Sequence, residues 1–571
     1  MFKKNDQPGL FSFETELSKK QRNLLDISKE KWFYKLVLRN INEDNFKPLY
    51  SGKASRPNIA INILVSALIL KELKGISYDE LMESVMFDLR FKTALGLVSI
   101  DDMPFSRGTL FNFQNRIFSY EQETGINLIE EIFDNLSTRH IKELSLKTDI
   151  QRTDSTLISS NIKRYSRVQL LIEVLIRLEK ILDETDKQRI GKSLQAYLKN
   201  GSEKYIYGIK SSELPRELEK LGNIYYSVQT EIAGKNKYHD RKEFINFQRV
   251  YKEHFVVIHQ KVSVKPTNEL NSGMLQSPDD QDATYRKKRE QHSKGYTINA
   301  TETANPDNPI QLIDDISVNP NNIDDTKIIN SRIDKIKEKT PELNEIHTDG
   351  GYGSEDNDRK FEKLGINQVT TAVRGRESEI EKNIEQINHS PDTYTVECPF
   401  QKTISTPTKK RNKVRFDITI CKECPLNAEC RIFKSKGRYY FTHEDFLLNK
   451  RNRNILNIPE EHRKIRPNVE ATMKEFKTRT RNGKTKVRGM FKTSLFAFNV
   501  GMAINFGRIY RYIAQNDLNN AQMLTVIPYF LIKLKISTLL INLPPEFQNN
   551  QRKIKYFSNI QFSATGFFYG Y

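Results

Sequence analysis

Three carboxylates stand out by where the chain puts them. Asp154 lies in "TDST", inside a short Thr- and Ile-bearing segment that reads as a strand. Asp349 lies in "TDGGYG", at the end of a later strand, where the glycines let the backbone turn sharply and leave the carboxylate at the sheet's edge. Glu470 sits in "RPNVEATMKEFK", at the start of a helix that leads into "TRTRNGKTKVRGMFK". Between Lys474 and Lys492 there are eight Lys or Arg and one acid, Glu475. Reaction at a phosphodiester needs a nucleophilic oxygen, a leaving oxygen and relief of charge on the phosphate. Two Mg²⁺ ions about 3.5–4 Å apart supply all three. Mg²⁺ (or Mn²⁺) takes oxygen ligands and keeps several waters, so a few carboxylates suffice. Lys477, Arg479, Arg481, Lys484 and Lys486 would then hold a nucleic-acid backbone without reading bases. A chain with 72 acids has many Asp at strand ends, and any one alone is more often surface than ligand.

The second constellation is sulfur. All four cysteines fall between residues 398 and 430, as Cys398, Cys421, Cys424 and Cys430. Cys421 and Cys424 form one metal knuckle, and four thiolates with no other cysteine in the chain fit a closed, structural Zn²⁺ site. Free buried thiols or a redox pair are the other readings. His443 is a spare ligand that the four-thiolate set does not need. Basic and aromatic residues interleave in "GRYYFTH" and "KKRNKVRFDI", so this segment is a further candidate for DNA contact.

Composition agrees with a polyanionic partner. The net charge is +19 over 571 residues, with a pI near 9.4. "MFKKNDQPGLFSF" has no apolar central region or small-residue cleavage site, and "IAINILVSALIL" is too short to span a bilayer. A later apolar run is broken by Pro528, Lys533 and Lys535. The expectation is a soluble cytoplasmic protein with no membrane partner, long enough for two to four domains.

The elements that must position these residues follow from periodicity. Residues 1 to about 140 read as helical: Ser77 and Glu80 have capping-box spacing, and Leu81, Val85 and Leu89 repeat as a buried stripe. A short helix from Ser106 to Phe118 completes either a DNA-reading helix-turn-helix or an ordinary bundle. A strand within 144–160 is followed by a helical pattern from Ile162 to about Lys261. Strands then recur at Lys294, Ile310, "LNEIHTDG" and "INQVTTAVRG", with helices at Thr326–Lys339 and Asp356–Leu364 between them. This alternation predicts a mixed α/β sheet.

Taken in order, these blocks resemble the DDE transposases of bacterial insertion sequences, in the insertion-sequence-four-type superfamily. "RPNIAINILVSALILKELKGISYDELMESVMFDLRFKTALGL" with "FSRGTLFNFQNRI" is similar to their amino-terminal domain. "TDSTLISSNI", "SPDDQDATYRKKREQHSKGYTINATETAN", "HTDGGYGS" and "VRGMFKTSLFAFNVGMAINFGRI" are similar to successive blocks of their catalytic domain. Arg466, Glu470 and Lys477 keep the family spacing Y-x2-R-x3-E-x6-K, with Arg463 in the tyrosine position. Pro467 departs from the pattern and predicts Arg466 as a cap in a turn rather than a helical residue.

The resemblance implies an α/β, ribonuclease-H-like mixed-sheet core with Asp154, Asp349 and Glu470 as catalytic metal ligands. Asp149 is the competitor for the first position, but it lies five residues away and points to the opposite face. Arg466 and Lys477 would contact DNA. The implied organisation is a helical domain at 1–143, a core from 144–160, 286–384 and 451–515, a helical insertion at 161–285, a cysteine-rich insertion at 385–450, and a tail at 516–571. The implied activity is metal-dependent cleavage at terminal inverted repeats and strand transfer into target DNA, by at least a dimer, in the bacterial cytoplasm and nucleoid. A stand-alone nuclease and a catalytically inactive DNA-binding relative are the alternatives.

Overall fold

The central strand, Ile150–Ser159, is buried along most of its length. A strand covered on both faces must have paired neighbours, and it has one of each kind. Gln291–Thr303 runs antiparallel to it, pairing Asp154 with Ala300, and Glu345–Thr348 runs parallel. The six-stranded sheet continues to Asn367–Thr370 beyond the parallel neighbour, while Ile313–Pro320 and Thr284–Lys288 pair along Gln291–Thr303 on the other side. Parallel strands need crossovers, and the helices Asp325–Lys339 and Glu355–Leu364 provide them. These observations come from a computed structural model, which describes residues 1–5, 12–53, 57–288, 290–371, 383–387 and 393–519. The mixed α/β sheet expected from the alternation is therefore present.

The amino-terminal region is helical as expected, with the main helices at Lys19–Asp26, Lys29–Leu36, Ile61–Lys74, Tyr78–Phe87, Leu89–Ala94, Arg107–Thr124 and Leu128–Glu143. Both arms of the Ser77–Glu80 capping box form. The stripe through Leu89 does not stay on one helix. Asp88 adopts an extended backbone, closes the first helix and caps the next by accepting from the Arg90 amide at 2.8 Å. Helix Ile61–Lys74 has no capping side chain of its own. Its first amide donates instead to Glu43 Oε2 at 2.8 Å.

The helix Met490–Asn519 anchors on the sheet through Asn505. Its amide Oδ1 accepts from Ile313 N and its Nδ2 donates to Ile313 O, both at 2.8 Å. Gly501 allows the close approach, since a Cβ there would lie 2.2 Å from Ile316 Cδ1 and 3.2 Å from Phe133.

Two regions leave the sheet with cores of their own. Helices Arg167–Glu179, Glu184–Tyr207, Leu214–Ile232 and Lys242–His254 pack around Tyr197, Tyr225 and Phe247. The helical pattern expected to Lys261 ends earlier, in a hairpin of Phe255–Ile258 with Lys261–Val264. β-branched Val256, Val257, Val262 and Val264 account for the change. The cysteine-bearing region contains two small three-stranded sheets and short helices around Val396, Val414 and Phe441.

By its contacts the chain separates into two compact units, Met1–Arg508 and Ile509–Tyr571. The apolar run with Pro528 and the rest of the tail from residue 520 lie outside the described residues. No described helix is long and apolar enough to cross a membrane.

Candidate functional site

Asp154 projects from the middle of the central strand, Asp349 from the end of its parallel neighbour, and Glu470 from the helix Ile465–Thr478. One guanidinium joins them. Arg466 Nη2 lies 3.1 Å from Asp154 Oδ2 and 4.0 Å from Asp349 Oδ2, and Nη1 lies 2.6 Å from Glu470 Oε1. Arg466 is not a cap, which corrects the expectation drawn from Pro467. The helix begins at Ile465, so Pro467 stands in its first turn, where the missing amide has no intrahelical partner to lose. Arg466 and Glu470 are thus one turn apart on one helix face.

The environment grades the three acids. Asp154 is the most buried, and burial pushes its carboxyl above the usual range. The Ser155 amide, donating at 2.8 Å, and Arg466 pull it back, while Asp349 and Asp325 push it up. Asp349 is half exposed and accepts from Gly350 N at 2.7 Å and Thr371 Oγ1 at 3.1 Å. Glu470 is the most exposed. Asp149 is elsewhere, accepting from Asn305 Nδ2 at 2.8 Å.

A hard divalent cation suits this donor set. Three carboxylates converge on a single positive group, and the most buried of them has its charge disfavoured there.

Two family models match the chain. A transposase domain (DUF772) covers residues 22–116, and a transposase DDE domain covers residues 391–510. Both matched families are transposase domains, which supports an insertion-sequence DDE transposase. No curated protein and no solved structure gives a match. The first match takes in the helices from Lys29–Leu36 through much of Arg107–Thr124. The second takes in Arg466, Glu470 and all four cysteines, while Asp154 and Asp349 lie between the two.

The basic run divides into two kinds of residue. Arg479 Nη1 donates to Leu73 O at 3.0 Å, Lys484 Nζ to Ile162 O at 3.0 Å, and Lys486 Nζ to Gly75 O at 3.5 Å. Lys477 and Arg481 are exposed and make no side-chain ion pair or hydrogen bond among the described residues. Arg481 and Lys484 flank Asn482-Gly483, both with positive φ, and their backbones exchange two 3.0 Å bonds. That is a tight hairpin turn. In the same basic run Glu475 pairs with Arg508 at 3.2 Å.

The four thiols line one largely apolar pocket with Phe400, Phe416 and Phe433. Burial pushes the Cys421 thiol up, Gln401 Nε2 (3.2 Å from the sulfur) pulls it down, and the other three thiols push it up again. A thiophilic dication would favour the thiolates and so offset that balance, but no three of the four sulfurs lie within 4.8 Å of one another, so they would have to draw together to hold zinc. His443 is committed elsewhere, to Glu362 at 2.8 Å and the Tyr394 hydroxyl at 2.9 Å.

Sequence reasoning missed two groups near the acids. Asp325 accepts from Ser155 Oγ at 3.0 Å, beside Asp154. Glu302, fully buried, accepts from Arg152 (2.7 Å), Thr472 (2.8 Å) and Arg508 (2.6 Å), so it ties two strands and a second helix to the Glu470 helix. "TETAN" carries no local signal for that role; only its alternation marks a strand.

Proposed function

We infer that this transposase binds the terminal inverted repeats of its own element, cleaves at the ends to free 3′-hydroxyls, and joins these to target DNA. The reading places it in the insertion-sequence-four-type superfamily, with a ribonuclease-H-like core. The sheet order supports that core: an antiparallel succession, Gln291–Thr303 and then Ile313–Pro320, lies on one side of the central strand and two parallel strands on the other. The observation that carries the proposal is the convergence of Asp154, Asp349 and Glu470 on Arg466, from strands and a helix up to 312 residues apart in the chain.

Asp154, Asp349 and Glu470 would hold two Mg²⁺ (or Mn²⁺) ions. When bound, these supply the activated nucleophilic oxygen and the charge relief that phosphodiester chemistry requires. Arg466 balances the acids until then and is long enough to turn toward a phosphate, where a guanidinium binds two oxygens at once. Lys477, on the same helix, and Arg481, at the hairpin turn, point positive charge outward for the backbone of the DNA. The helix from Ser106 reads sequence, the four cysteines hold a structural Zn²⁺, and two element ends require at least a dimer in the working complex. The place of work is the bacterial nucleoid.

The test incubates purified full-length protein with DNA carrying the element ends and Mg²⁺. Joined products support the reading. Cuts without joining make the chain a nuclease, and a gel shift without cleavage makes it a binder. Asp154→Ala, Asp349→Ala and Glu470→Ala should each abolish cleavage while leaving end binding within a few-fold, and Asp149→Ala should leave both intact. Near-normal cleavage by any of the first three would show that the wrong acid has been chosen.

A further inference from the structure

Glu345, His347 and His462 form a cluster that neither the proposed magnesium site nor the cysteine pocket uses. Glu345 Oε1 lies 2.6 Å from His347 Nε2 and 2.9 Å from His462 Nδ1. All three ligand atoms fall within 4.8 Å of one another, the only such group of His, Cys, Asp or Glu among the described residues. His347 is 2% exposed, His462 15% and Glu345 21%, so the cluster sits under the surface with one side open to water. Glu345 and His347 alternate on the strand that ends at Asp349, so both present the same face. His462 comes from the short helical turn Glu460–Lys464, immediately before the Glu470 helix.

We propose that Glu345, His347 and His462 bind a transition-metal dication, Zn²⁺ by chemical class, as a site separate from both others. Two imidazole nitrogens and one carboxylate oxygen are a donor set for zinc and a poor one for Mg²⁺, which demands oxygen ligands. Three protein ligands on a partly open face leave a fourth position for water. Both imidazoles now meet one carboxylate oxygen, so small side-chain rotations open the group to bond lengths of about 2.0–2.2 Å. The ion would pin the strand that carries Asp349 to the turn that starts the helix of Arg466 and Glu470. Its role is to position those elements.

The test uses full-length protein stripped by a chelator, then titrated with Zn²⁺ alone and, in parallel, with Co²⁺ alone. Metal per chain is counted, thiolate-to-cobalt absorption reports the cysteine pocket, and the thermal midpoint is followed against added Zn²⁺. His462→Gln and Glu345→Gln should each lower tightly held zinc by about one per chain, since one site is lost. Both should leave the thiolate absorption unchanged and shrink the zinc-dependent rise in midpoint. His462 is the primary choice because it lies on a surface turn, and Glu345→Gln keeps the shape of the side chain if the first variant folds poorly. Equal zinc content and an equal rise in wild type and both variants would overturn the proposal.

Discussion

At the scale of single residues, the three candidate acids stand out in the sequence because their types and their places at strand and helix ends suit phosphodiester chemistry. What brings them together does not. Arg466 reaches Asp154 across 312 residues, and no local pattern encodes so distant a pairing. Removing its charge should expose the cost. Arg466→Met leaves three carboxylates without their cation, so in EDTA the variant should be less stable by roughly 2–3 kcal/mol, below the cost of a fully buried broken pair because Glu470 is exposed. Added Mg²⁺ should raise its melting midpoint more than that of wild type, and equal midpoints in EDTA would sink the counter-ion role. Asp314 makes a different point. Both its carboxylate oxygens are buried without a hydrogen-bond partner, and burial raises its pKa from 3.8 to about 6 despite Lys339 at 3.6 Å. The folded protein therefore holds this proton to higher pH than the unfolded chain. The associated stability is complete below pH 3.8 and is lost as pH rises through about 6. Asp314→Asn should be more stable than wild type at pH 7.5 by roughly 2–3 kcal/mol, with the gap closing toward pH 4. Denaturation at the two pH values checks it, and a pH-independent gap would contradict the assignment.

At the scale of elements, what periodicity could reach was read and what needed distant partners was not. Helices Asp325–Lys339 and Glu355–Leu364 fall where alternation put them. The strand Thr284–Lys288 was missed because its "TYRKK" is basic and half exposed, and it becomes a strand only by pairing with Gln291–Thr303. The Glu470 helix was placed, but the reason it sits against the sheet is Glu302. That carboxylate accepts from Thr472 of the helix and from Arg152, whose Nη1 also donates to Ile465 O at 2.9 Å, and from Arg508, which bridges to Glu475. Truncating one member of a buried charged network strands the others. Glu302→Ala should cost about 3–5 kcal/mol in chemical denaturation. Glu302→Gln keeps the shape and should cost less. In the glutamine variant, cleavage should fall further than DNA binding, because the helix that carries Glu470 loses its fixed place while the exposed cations remain. Loss of both in equal measure would make the network a matter of general stability alone.

At the scale of the whole molecule, the surplus of +19 points to a polyanion but not to which cations would face it. The basic run reads as one patch in sequence, yet Arg479 and Lys486 are turned onto the carbonyls of Leu73 and Gly75, at the carboxy-terminal end of the helix Ile61–Lys74. That helix end carries partial negative charge, so cations placed there fasten the amino-terminal helices to the loop beyond Glu470. Lys477 and Arg481 have no such engagement among the described residues. The two kinds should separate in one measurement. Lys477→Gln and Arg481→Gln should each flatten the slope of log affinity against log salt by about 0.9 on duplex DNA, for specific and random sequences alike. Arg479→Gln and Lys486→Gln should change that slope less and lower the melting midpoint more, since they loosen a contact inside the protein. Sequence preference should survive all four, because it is assigned to the helix that begins after Ser106. If all four flatten the slope equally and none lowers the midpoint, the carbonyl contacts of Arg479 and Lys486 are incidental, and the whole run is a single phosphate track.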